Sequence, residues 1–129
     1  MSYRDMDVYR KSFRLALEIH HFSLLLPQYL RYDLSDQLRR ASRSVPSNIA
    51  EGYARNRSLK DVIGFLQISL GSNDEVLFNL EFLKEVKLIS PENYEHFVKE
   101  YTYLGKQLYT LMKSLAARRK TPPPFMSNI

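Results

Sequence analysis

At 129 residues, 44% of them hydrophobic and none cysteine, the chain fits a single domain with one sizeable core. That composition excludes wholesale disorder, a disulfide framework and a thiolate metal site. A formal charge of +5 and a pI near 9.5 favour acidic partners. No apolar run approaches the roughly 18 residues of a membrane helix. Met1 to Val8 carries Arg4, Asp5 and Asp7 and leads into no apolar stretch of the secretory kind. The cytoplasm is the expected location, with no membrane partner.

The charge is uneven along the chain. Between Arg31 and Lys60 seven basic residues face three acidic ones; between Asp61 and Glu100 eight acidic residues face three basic ones. After Glu100 there are five basic residues and no acid. The chain is electrically polarised along its length.

The apolar spacing predicts helix nearly throughout. A first segment runs from about Asp7 to Leu26, with Val8, Leu15, Ile19, Phe22 and Leu26 on one stripe and Pro27 as its stop. A second runs from about Asp33 to Arg57, where Leu34, Leu38, Ala41, Val45, Ile49 and Tyr53 recur every three or four residues. Pro46 falls inside it. Because the apolar period survives across the proline, a kinked continuous helix is expected, with a break into two helices as the alternative.

The third segment opens at Ser58, with Asp61 three residues on as a near capping box, and runs to about Lys87. Val62, Leu66, Leu70, Val76, Leu77 and Leu80 form one stripe. Phe65, Ile68, Phe78 and Phe82 form a second, with Gly71, Ser72 and Glu75 among them. The fourth starts with Ser90 as N-cap and Pro91 in the first turn. Tyr94, Phe97, Tyr101, Leu104, Leu108, Leu111 and Leu115 then step 3-4-3-4-3-4, a coiled-coil-like seam. Residues 121–129 contain three consecutive prolines and are expected to form a flexible tail. The prediction is an all-α, antiparallel up-down four-helix bundle over residues 1–120.

A bundle helix needs about one apolar stripe. The third helix offers two, and the first adds a row of Tyr9, Phe13, Ala16 and His20. Spare apolar surface marks an interface, so a homo-oligomer is expected; a monomer whose aromatics fill broad grooves is the alternative.

Signs of catalysis are thin. The two Glu-x-x-His motifs of a di-metal bundle are reduced to one, Glu18 with His21, and Glu92 with His96 offers only a weak single-metal pair. His20 and His21 point about 100° apart on a helix. No serine sits in a nucleophile elbow, and the four glycines are scattered over helical segments, not gathered in a phosphate loop. No enzyme activity, cofactor or metal is expected.

The basic residues of the second helix carry the better signal. Arg39 and Arg43 share a face, Arg40 lies beside them, and Arg55, Arg57 and Lys60 mark the far end. Guanidinium forks suit phosphate oxygens, so these six are candidate nucleic-acid contacts. The plainer reading is a solvated face with local pairs, Asp36 with Arg40 and Glu51 with Arg55. Lys113, Arg118, Arg119 and Lys120 form a second cluster, which a helix dipole alone would also favour. Asn48, Glu51 and Gly52 are candidate packing or oligomer residues. Gly52 would allow close approach opposite Gly71 and Ser72, and Glu51 would pair with Arg39 or Arg40 or cap a group at an interface.

The runs Gln37-Leu38-Arg39-Arg40-Ala41 and Ser44-Val45-Pro46-Ser47-Asn48-Ile49-Ala50-Glu51-Gly52-Tyr53, with Phe65-Leu66, Gly71-Ser72 and Glu75 downstream, resemble a known signature. It belongs to the four-helix bundle proteins named after intervening sequences of bacterial 23S ribosomal RNA genes. The resemblance spans about Asp7 to Leu115; Asn73-Asp74 is more polar than the pattern there. It implies a bacterial origin, an antiparallel bundle and a ring-shaped homopentamer. More distantly, the chain resembles the accessory proteins of diversity-generating retroelements, pentameric barrels that bind nucleic acid and a reverse transcriptase. The expected function is therefore nucleic-acid binding, RNA above all, by a homo-oligomer; the alternative is a scaffold docking a protein such as a reverse transcriptase.

Overall fold

The structure is a computed structural model that describes residues 2–30 and 32–120, with side chains up to residue 118. The expected tail, 121–129, lies outside the described residues. Four helices form: α1 Asp7–Ser23, α2 Leu34–Arg55, α3 Leu59–Glu85 and α4 Pro91–Lys120, with short 3₁₀ turns at Tyr3–Asp5 and Gln28–Leu30. No strand occurs among the described residues, and no described helix is long and apolar enough to cross a membrane.

The ends follow from local chemistry. α1 stops at Ser23, three residues before the expected Leu26. Leu24, Leu25 and Leu26 donate to the carbonyls three residues back, because Pro27 disfavours α geometry in the residue before it. α2 runs unbroken through Pro46 and ends where Asn56 turns left-handed at φ 46°. Ser58 Oγ caps α3 by accepting the Asp61 N–H at 3.1 Å. The reciprocal half of the capping box is missing, and Asp61 Oδ2 has no hydrogen-bond partner among the described residues. At the other end Lys87 adopts φ 63°, and the Leu88 N–H reaches back to the Leu83 carbonyl at 2.9 Å, a Schellman stop. Ser90 Oγ accepts the Asn93 N–H at 3.1 Å and starts α4.

Each helix packs on its chain neighbours, α4 closes back on α1, and α1 does not touch α3. Side-chain bonds show antiparallel order at every seam: Ser23 with Ser35, Ser44 with Ser72, Asn73 with Tyr101, Lys11 with Glu100. The core is the set of apolar stripes read from the sequence, with Leu15, Ile19, Leu38, Ile49, Leu66, Leu80, Leu104 and Leu108 fully enclosed. Tyr53 and Leu70 are only partly buried.

Two polar features tie the core. Asn73 is buried and donates to the Tyr101 carbonyl at 2.9 Å, with Gly105 leaving room for its amide. The α1–α4 seam is closed by charge: Lys11 meets Glu100 at 3.0 Å and Glu18 meets His96 at 2.7 Å. The hydrogen bond from Lys11 holds the Glu100 carboxyl below the usual range against partial burial, helped by the charges of Lys11, Arg14 and His96.

This packing can be tested at two residues. A Cβ on Gly52 would stand 2.9 Å from Phe65 Cβ, an atom fixed to the α3 backbone. Gly52→Ala should therefore destabilise the fold by about 1–3 kcal/mol in urea titration, despite alanine's better helix propensity. Burial, with the charge of Glu18, pushes the Tyr101 phenol well above its ordinary pKa. Above about pH 10 the unfolded chain releases that proton while the native state keeps it, so stability falls as pH rises. Tyr101→Phe should flatten that fall in urea midpoints measured from about pH 9 to 11.

Candidate nucleic-acid interface

The six candidate cations do not form one patch. Arg40 and Arg55 are fifteen residues apart on one helix, about 22 Å along its axis. Near the start of α2, Arg39 turns inward and donates to Ser23 Oγ at 3.1 Å and Ser35 Oγ at 2.7 Å. Arg40 pairs with Asp36 at 3.1 Å, the local pair expected of a solvated face. Glu51 therefore meets neither of them and stands exposed. Arg43 lines a groove of about 450 Å³ between α1 and α2, whose other walls include Phe13, Ala16, Leu17, Pro46 and Ala50.

At the far end of α2 the cations converge. Arg55 lies over the Phe65 ring at 5.2 Å, not on Glu51. Arg57 and Lys60 are exposed in and just after the α2–α3 connection. Arg118, on the last turns of α4, joins them: its charge acts on the Tyr53 hydroxyl, partly offsetting the burial that raises that pKa. The side chains of Arg119 and Lys120 lie outside the described residues. The antiparallel order leaves Asp33, Asp36, Glu81, Glu85, Glu92 and Glu95 toward the opposite end. The sequence polarity has become a spatial one, with a basic end beside the α2–α3 turn.

The packing candidates separate as well. Gly52 is buried against Phe65, not opposite Gly71 and Ser72 as expected. Ser72 bonds Ser44 at 2.7 Å, and Asn48 donates to the Ser44 carbonyl at 2.8 Å and to its hydroxyl at 3.0 Å. Gly71 and Glu75 face outward, with open space around Gly71. Two contributors are not apparent from sequence spacing. Arg118 depends on the register of α4 against α2, and Asn73 looks like a departure from pattern although it is a core hydrogen-bond donor. Glu18 binds His96, not His21, and no group of three potential metal ligands gathers among the described residues.

Residues 4–110 match the family described as 23S rRNA-intervening sequence protein. The chain belongs to that family. A solved structure is similar over 82% of this chain and 95% of its own, with 28% identity and a TM-score of 0.75. It is a protein of unknown function from the S23 ribosomal protein family of Bacteroides thetaiotaomicron VPI-5482. No curated protein matches the chain. The intervening-sequence signature maps onto α2 and its packing against α3, the part of the bundle where the polar side chains are tied down.

The split of the arginines is testable. Arg39→Ala removes charged hydrogen bonds in a half-buried site and should cost about 1.5–3 kcal/mol of stability. Arg57→Ala, on the surface, should stay within about 0.5 kcal/mol of wild type. Chemical denaturation of the two variants side by side makes the comparison.

Proposed function

We propose that this protein is a non-enzymatic, homo-oligomeric nucleic-acid-binding bundle that takes RNA at its basic end. The observation that carries this reading is the convergence of Arg55, Arg57 and Lys60 with Arg118 from another helix at one end of the molecule. Phosphate contacts from several helices supply affinity through counterion release and need no base-specific reader. A rigid basic surface of this kind suits structured RNA, which is recognised mainly by shape. The family's name likewise points to ribosomal RNA and not to a reaction.

A protein-docking scaffold, such as a reverse-transcriptase accessory subunit, is the second reading. It is favoured by apolar side chains that stand in solvent on α1 and α3, among them Phe13, Leu17, Ile68 and Phe78. Salt separates the two, because apolar docking responds little to ionic strength while phosphate binding falls steeply.

Fluorescence anisotropy with an RNA hairpin across a salt series tests the proposal. Binding should fall linearly on log–log axes. Replacing Arg55, Arg57, Lys60 and Arg118 with Ala should lower the slope by about 0.7–0.9 for each phosphate no longer neutralised. Absence of binding at low salt, or a wild-type slope in the quadruple variant, would overturn it.

A further inference from the structure

We infer that α1 of one copy docks on α3 of the next, in a head-to-tail interface between two seams on opposite sides of the bundle. The inference rests on the homo-oligomeric part of the function proposed above and assigns its surfaces.

The outward line of α3 is Gly64, Ile68, Gly71, Glu75, Phe78 and Phe82, stepping 4-3-4-3-4. That is the spacing of a coiled-coil seam, yet the line faces away from the core. Ile68 is 51% exposed and Phe78 65% exposed, and nothing lies within 4 Å of a Cβ built on Gly64 or Gly71. The outward line of α1 is Arg10, Phe13, Leu17, His20 and Leu24, on the same spacing, with Leu17 51% exposed. Beside it opens the apolar groove that reaches Pro46, Ala50 and Arg43 on α2. Two apolar seams of one period, each without a partner in its own bundle, are what a second copy would cover.

Charge decides between like-with-like and head-to-tail pairing. The α1 seam is flanked by Arg10, Arg14, His20, His21 and Arg43. The α3 seam is flanked by Asp74, Glu75, Glu81 and Glu85, while Lys84 folds away over the Tyr94 ring at 4.8 Å. A seam placed on its own copy sets like charges together; α1 on α3 sets opposite charges together. Level also agrees. Counted from the basic end at about 1.5 Å per residue, Leu17 and Ile68 both stand at about 14 Å, Arg43 and Gly71 at about 18 Å, and Glu75 about one turn further. Bulky α1 side chains thus meet the glycine gaps of α3, and Glu75 comes within reach of Arg43 and His20. Because α1 and α3 do not touch within one copy, each copy keeps one seam of each kind available, and the association propagates until a ring closes.

The test is a complementation experiment read by light scattering after size exclusion. Leu17→Glu damages one seam and Phe78→Glu the other, and both positions are exposed, so circular dichroism should show wild-type helix content. Wild type should be oligomeric and each variant alone monomeric. A mixture of the two should form a 1:1 dimer that grows no further, since only one intact pair of seams remains. A charge exchange gives a second measurement: Arg43→Glu and Glu75→Arg should each weaken assembly at least about tenfold, and the double variant should recover it. A monomeric wild type, a single variant that keeps wild-type mass, or a mixture that stays monomeric would overturn the inference. Hairpin anisotropy on the monomeric Leu17→Glu variant reports the basic end separately, so failure of the interface and failure of nucleic-acid binding read out differently.

Discussion

Pro46 has no N–H to donate, so in the middle of α2 the carbonyl of Ser42 loses its helical partner, a defect that costs an ordinary helix about 3 kcal/mol. α2 nonetheless runs from Leu34 to Arg55 without a break. The carbonyls around the proline are drawn into side-chain bonds. Asn48 and Ser47 donate to the Ser44 carbonyl, and Ser69 crosses from α3 to the Val45 carbonyl at 2.9 Å. The Ser44–Ser72 hydroxyl bond adds a second tie, and one turn past Asn48 the bare Gly52 lets Phe65 close on the helix. The serines, asparagine and glycine of the signature thus hold α2 to α3 where a proline would otherwise weaken it.

That joint shapes the outer surface. Pro46 and Ala50 are small toward α1, and Ala16 is small in return, so the α1–α2 side is a shallow groove with Phe13 and Leu17 on its rim. On α3, the side chains that would have filled a core position on the outer face have no fifth helix to meet. Ring-order packing of four helices gives each one an inward stripe and two flanks, and the outward stripe of α3 is left apolar without structural need. An isolated bundle gains nothing from Phe78 in water, whereas a covered one buries it.

The bundle is legible in the sequence because its signals are local. The heptad steps of α4 and the caps at Ser58 and Ser90 need only neighbouring residues to act, and a proline that leaves the apolar period intact announces a continuous helix. The site is harder to read. Arg39 and Arg40 are adjacent in sequence but about 100° apart on the helix. One finds serines on α1 and in its own first turns, and the other finds Asp36. Which of them is available to a ligand depends on Ser23, sixteen residues away. Gly52 is a point of close approach, as its place in an apolar helix suggests, but its partner is set by the register between α2 and α3, which periodicity does not contain. Arg118 enters the basic end for the same reason, through the register of α4.

Assembly and RNA binding are linked through symmetry. In an up-down bundle α1 and α3 run in the same direction, so seating α1 on the next copy's α3 by rotation about an axis along the bundle keeps every copy the same way up. All the α2–α3 turns then fall on one rim, with Arg57 and Lys60 repeated around it, and the acidic ends fall on the other. A single basic end offers few phosphate contacts and modest affinity. Repeated on one rim, the same cations act together on one folded RNA, and the effective concentration of each further end is set by the ring and not by the solution. An isologous pairing through α3 alone would turn half of the basic ends away from the other half. Head-to-tail geometry is therefore the arrangement in which the apolar seams and the charge polarity of the chain serve the same surface.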